Sequence, residues 1–261
     1  MNPEALMAEW LERRLPPEAA DWLFTQRERL RTGGMSERDF NLVVSLAPRR
    51  LGKADLPLGP ENLAAAGAAR RGWDPRGWTV DQAGRLVLLL ADGLSGRAFA
   101  ARLRSLLATA DLSETICFLR GLPLYPDPAL HLARAREGAR SGMRPIFEAV
   151  AHANPYPAEV FDEAGWNQLV LKALFIETAL APIQGLDRRA NPTLMRMLCN
   201  YAHERWAAGR PVSPELWRCV GPFADAAARE DLARVLRTGD EAERAAARAA
   251  LDAVPAQAAA E

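Results

Sequence analysis

The residues best suited to chemistry gather in one stretch of the chain, between positions 152 and 218. His152-Ala153-Asn154-Pro155-Tyr156-Pro157 sets an imidazole, an amide and a phenol around two prolines that fix the backbone. Such a turn either offers His152, Asn154 and Tyr156 to a ligand or spends them capping nearby backbone. Trp166 and Asn167 open an apolar run that Lys172 interrupts. Gln168 and Lys172, four apart, share a helix face. A buried Lys172 would titrate low and could bind an anion or form a Schiff base. An exposed one would lay its stem on the surface and keep its charge in water. Asp187, Arg188 and Arg189 precede Asn191-Pro192, an N-cap followed by proline at the first helical position. The two arginines there suit a phosphate or diphosphate, or else form a surface network with Asp187. In the next helix Asn200, His203 and Glu204 share one side, and Tyr201 and Arg205 form the adjacent ridge.

Several chemistries lack their motif. His203-Glu204 is not the start of HExxH, because Ala207 stands where the second histidine would be. With three histidines in all, a His-rich metal site is not expected, and no cofactor is. His131, in an Ala- and Arg-rich context, reads as exposed. There is no P-loop, no GxGxxG after a strand and no GxSxG elbow. Cys117, Cys199 and Cys219 are far apart, odd in number and set among apolar residues. They read as buried small hydrophobes in a reducing compartment.

Charge excludes more. Lys+Arg and Asp+Glu are both 33, so no global basic field draws in nucleic acid. Seven tryptophans beside many arginines read as core anchors rather than a nucleic-acid face. All cations but Lys53 and Lys172 are Arg, which with abundant Ala reads as a GC-rich bacterial genome. The N-terminus lacks the apolar core of a signal peptide. The longest apolar runs, Leu86 to Ala91 and Leu169 to Ile176, are far short of the roughly 20 residues a membrane span needs. The expectation is a cytoplasmic protein with no transmembrane segment, leaving peripheral membrane association open.

The elements that must position these residues all read as helices. Proline, glycine and Ser/Asp caps divide the chain into segments of about ten to twenty residues with apolar positions at helical spacing. Expected helices include Glu18 to Arg31, a third capped by Ser36 and ended before Pro48, Thr79 to Asp92, Ser95 to Thr109, Pro128 to Arg140, Pro157 to Ile176 and Pro192 to Ala208. Asp187 to Arg189 reads as loop, and Trp73 and Trp78 as pins holding a loop to the core. No alternating run bounded by turns marks a strand. The fold class is all-α: a single domain of stacked antiparallel helix pairs in an irregular superhelix. Residues 224–254 read as a HEAT-like pair followed by a frayed tail.

The order HANPYP, WNQLVLKA, GLDRRAN and YAHERWAAGR, closing on Pro214-Glu215-Leu216-Trp217-Arg218, resembles the EboA-like family of metabolite-traffic proteins. The resemblance implies work within a gene cluster that helps deliver a membrane-associated, prenylated metabolite precursor out of the cytoplasm. It supplies no catalytic residues. A helical adaptor or carrier is then the leading expectation, binding a small-molecule metabolite, proteins of the same cluster, or both. Two rivals stand beside it: an enzyme using His152, His203, Glu204 and Lys172 for acid–base work, and a structural scaffold for a membrane-associated complex.

Overall fold

The structure, a computed structural model, describes residues 2–253. Val254 and the tail expected to fray lie outside the described residues. The chain divides into two compact units, one up to Tyr156 and one from Pro157. The first holds α1 (Pro3–Glu12), α2 (Pro17–Arg31), α3 (Glu37–Leu51), α4 (Pro60–Ala69), α5 (Val80–Leu90), α6 (Gly96–Thr109), α7 (Leu112–Arg120), α8 (Leu132–Ala139) and α9 (Arg144–Ala151). The boundary falls in the short α10 (Tyr156–Val160). The second holds α11 (Glu163–Phe175), α12 (Leu186–Arg189), α13 (Pro192–Ala207), α14 (Trp217–Val220), α15 (Ala226–Thr238) and α16 (Glu241–Asp252). The fold is all-α: among the described residues a single isolated pairing, Asp55 with Thr79, is the only extended contact. None of the described helices is long and apolar enough to cross a membrane.

In the first unit α5 is the central element. It packs against α1, α2, α3 and α7, and Leu86, Val87, Leu88 and Leu89 are fully buried. Gly84 permits that closeness, since a Cβ there would run into the Leu51 side chain of α3. Trp73 and Trp78 are buried beside Trp10, with centroids 5.6 Å and 6.0 Å apart along the Trp10–Trp73–Trp78 series, and so pin their loop as the sequence suggests.

Charge is buried here too. Arg85 and Asp81, both 2% exposed, pair at 2.8 Å within α5, and the Thr79 hydroxyl donates to Asp81. The pair explains a departure from expectation. Helix α3 does not stop before Pro48 but runs through it to Leu51, where Gly52 turns at φ 81°. Pro48 has no N–H for the Val44 carbonyl four residues back. The Arg85 Nε lies 3.4 Å from that oxygen and serves it instead.

Three further boundaries differ. The helix expected over Pro157 to Ile176 breaks at residues 161–162, because Asp162 leaves the helix to cap α11 through the Gly165 N–H at 2.9 Å. Asp187, Arg188 and Arg189 are not loop but part of the one-turn α12. The segment Pro128 to Arg140 begins as a 3-10 turn, Pro128–His131, before α8. That turn carries His131 inward. Rather than exposed, it is 3% exposed and wedged edge-on against the Phe99 and Tyr125 rings.

In the second unit α13 packs against α11, α14 and α15, and α14 against α16. Trp166, Leu198, Leu216 and Trp217 fill the core. The three cysteines are buried, as expected.

Candidate functional site

The proline-rich turn lies at the end of the first unit. Asn154, 3% exposed, donates from Nδ2 to the Leu119 and Ala149 carbonyls at 3.2 Å and 3.1 Å and accepts from the Tyr156 N–H at 3.0 Å. Tyr156, 1% exposed, donates its hydroxyl to the Pro128 carbonyl, and burial raises its pKa far above the ordinary phenol. Ala153 takes φ 49° to make the turn, and the half-buried His152 ends α9 with its N–H on the Glu148 carbonyl. These hydrogen bonds fasten the turn to α7, α9 and the Pro128 turn.

In the second unit the WN and RRAN pieces form one half-buried network. Asn167, 1% exposed, and Asn191 exchange amide hydrogen bonds at 2.8 Å and 3.2 Å. The same Asn191 side chain caps α13 through the Leu194 N–H at 2.8 Å, as the Asn-Pro start predicts. Arg189 donates to the Ala158 and Phe161 carbonyls, both at 2.9 Å, and its guanidinium lies 5.1 Å from the Trp166 ring. Asp187 forms a two-pronged ion pair with Arg218, whose guanidinium holds the carboxyl below its ordinary pKa. Arg188 stays exposed.

The ridge along α13 divides its residues between two sides. His203 faces α15, where its Nε2 meets Asp231 at 2.7 Å. Its ring lies 5.8 Å from Trp206, which stacks on Trp217 at 5.9 Å and carries Arg234 over its face at 4.2 Å. Tyr201, Glu204 and Arg205 face α11 and line an open groove of about 620 Å³ with Gln168 and Lys172. Tyr201 donates to the Leu174 carbonyl at 3.1 Å, which ties α13 to the end of α11. Arg205 is held by the Pro211 carbonyl at 2.9 Å and lies 3.5 Å from Glu177.

Five groove residues escaped sequence reasoning: Leu171, Phe175, Glu177, Ala208 and Arg210. Phe175 is 69% exposed, with the Lys172 ammonium 5.3 Å from its ring centre. The signal was available, since Leu171, Lys172 and Phe175 stand at three- and four-residue spacing and must share a face. Lys172 is half-buried, beside the exposed ring of Phe175.

The groove is thus amphipathic. Leu171, Phe175 and Ala208 give it apolar wall, and Lys172, Arg205 and Arg210 outnumber Glu177 and Glu204. Neither Lys172 nor Glu204 has an ion-pair partner among the described residues. Of the four residues the acid–base reading needs, Lys172 and Glu204 share this groove, His203 is turned to Asp231, and His152 belongs to the first unit. The thiols offer no nucleophile, since burial pushes Cys117 and Cys199 up to about 12 and Cys219 to about 11.

Comparison with curated proteins and with solved structures finds no match to this chain. Comparison with protein families does. Residues 4–221 match the family described as metabolite traffic protein EboA, through both units and as far as α14. The chain belongs to the EboA family of metabolite traffic proteins.

Proposed function

We propose that this chain is a non-catalytic carrier or adaptor in bacterial metabolite traffic, working in the cytoplasm without a cofactor. Its cargo is a prenylated, membrane-associated precursor of a secondary metabolite, handed on with the help of proteins of the same gene cluster. The observation that carries the reading is the groove between α11 and α13. A phenyl ring exposed at 69% beside an unpaired ammonium and two guanidinium groups is poor surface for an idle helix and good surface for an apolar tail with an anionic head. The family's traffic role agrees with a surface that holds and releases.

Calorimetric titration with farnesyl diphosphate tests it, with farnesol and inorganic diphosphate as the two half-ligands. The expected result is saturable binding of the whole ligand that exceeds both halves. Phe175→Asp and Lys172→Glu, both at the groove surface, should each weaken it by about tenfold or more, which is about 1.4 kcal/mol. Equal binding by wild type and both variants would move the cargo away from this groove.

A further inference from the structure

The groove between α11 and α13 carries an anion of its own. Glu177, just past the end of α11, lines it, and its Oε1 lies 3.5 Å from Nη2 of Arg205 on α13. Arg205 is otherwise fixed, since its Nε donates to the Pro211 carbonyl at 2.9 Å and its side chain is 18% exposed. Its Nη1 has no protein partner among the described residues. The guanidinium is thus set in place at the groove wall. The carboxylate beside it, 74% exposed, is the loose member of the pair.

Local physics gives Glu177 little reason to be glutamate. Its backbone takes φ 56°, the left-handed conformation that closes a helix, with its N–H on the Leu174 carbonyl and the Thr178 N–H on Ala173. Glycine is the residue that adopts this conformation without strain. A negative charge just past a helix C-terminus also meets the negative end of the helix dipole. The one gain, an exposed ion pair at 3.5 Å, is small. On its far side Glu177 lines a second hollow of about 450 Å³ with Glu215, Asp240 and Glu243, so like charge there turns its carboxylate back toward Arg205.

We propose that Glu177 is the release residue of this groove: a built-in anion that competes with the anionic head of the cargo for Arg205. The inference rests on the carrier reading above. When cargo enters, its head takes the guanidinium and Glu177 swings into solvent. When cargo leaves, the carboxylate returns, so Arg205 is not left bare. No covalent bond changes; one ion pair is exchanged for another. The exchange offsets part of what the head gains at Arg205, which keeps binding reversible in a chain that must hand its cargo on. Lys172, with no ion-pair partner among the described residues, has no such competitor.

Calorimetric titration of farnesyl diphosphate and of farnesol into wild type, Glu177→Gln and Glu177→Gly tests it, with phosphorus NMR exchange for the release rate. Glu177→Gln removes the charge and keeps the side chain. Glu177→Gly also removes the left-handed strain, so neither change should weaken the fold. Both variants should bind the diphosphate about two- to fivefold more tightly, the range an exposed ion pair spans, and release it more slowly. Farnesol should bind all three chains alike. Glu230→Gln, which removes an exposed charge on α15 outside the groove, should behave as wild type. Diphosphate binding by the Glu177 variants alone would support the inference in its strongest form, with the carboxylate holding the groove shut. Diphosphate affinity equal to wild type in both variants overturns the inference and leaves the carrier reading standing. An equal gain for farnesol, or an equal gain in Glu230→Gln, overturns it in the same way. Diphosphate bound by no chain overturns the inference and the carrier reading together.

Discussion

Asn154 shows how a residue type alone misleads. Its amide next to two prolines suits a ligand loop and a structural clasp equally well, and only the positions of the Leu119 and Ala149 carbonyls decide that all its hydrogen bonds go to protein. Those carbonyls belong to other helices, so no local reading of HANPYP reaches them. Asn154→Ala should therefore destabilise the fold by about 1–3 kcal/mol in urea unfolding, through unpaired buried groups. The Asp81–Arg85 pair was illegible for the same reason. Arg85→Ala strands a buried carboxylate and should cost about 3–5 kcal/mol, whereas the double change Asp81→Leu with Arg85→Met should recover most of that loss. Failure of the double change to recover would mean that the service of Arg85 to the Val44 carbonyl and to Glu114, 3.5 Å away, outweighs its pair with Asp81. His131 adds a pH dependence. Its folded pKa lies below 6.5, chiefly through burial, with the Pro126 carbonyl and Asp127 opposing. The unfolded chain then binds more protons, so stability rises with pH across that window and is lost as pH falls through 6.5 toward the folded value. Urea midpoints followed downward from pH 7 should fall less steeply in His131→Phe than in wild type.

Helices were legible wherever a cap and a period stood together. Ser36 and Asn191 each hold the N–H three residues on, as their sequence positions predict. What failed were the breaks that tertiary contacts decide. Pro48 should end a helix by local rules, yet α3 continues because Arg85 of α5 takes over the abandoned carbonyl. Asp162 looks like any acidic helix residue until its carboxylate is seen on the Gly165 N–H. Likewise the ridge on α13 was readable as a helix face, but which side meets α11 and which meets α15 depends on packing. The close approach of α14 and α16 is another such contact. Gly221, just after α14, lies against the Ala250 backbone, and a Cβ there would stand 2.8 Å from the Ala250 Cα. Backbone cannot swing aside as a side-chain tip can. Gly221→Ala should therefore push α16 outward and cost about 1–3 kcal/mol. Faster hydrogen exchange confined to α16 and α14 would report it, and exchange unchanged from wild type would show that the contact is slack.

At the scale of the chain, the all-α class was plain from the spacing of apolar residues and the lack of alternation. The limits of the family are informative in a different way. The match ends at residue 221, yet the second unit does not end there. Trp217 and Val220 of α14 are buried at 1% and 0%, and α16 packs on α14 beside α12 and α13. On the other side of α13, Asp231 and Arg234 of α15 hold His203 and Trp206. The pair α15–α16 thus covers faces that belong to the matched segment, and it does so with side chains outside that segment. Deleting residues 225–261 removes both covers at once. Burying a large aromatic or aliphatic side chain contributes about 1.5–3 kcal/mol, so uncovering Trp217 and Val220 removes a large part of the stability of an ordinary domain. The shortened chain should lose cooperative unfolding of residues 157–224, with rapid hydrogen exchange in α13 and α14 and new binding of an apolar dye. If α13 and α14 instead keep their protection, the matched segment is sufficient for that unit, and α15–α16 is an addition that the groove between α11 and α13 does not need.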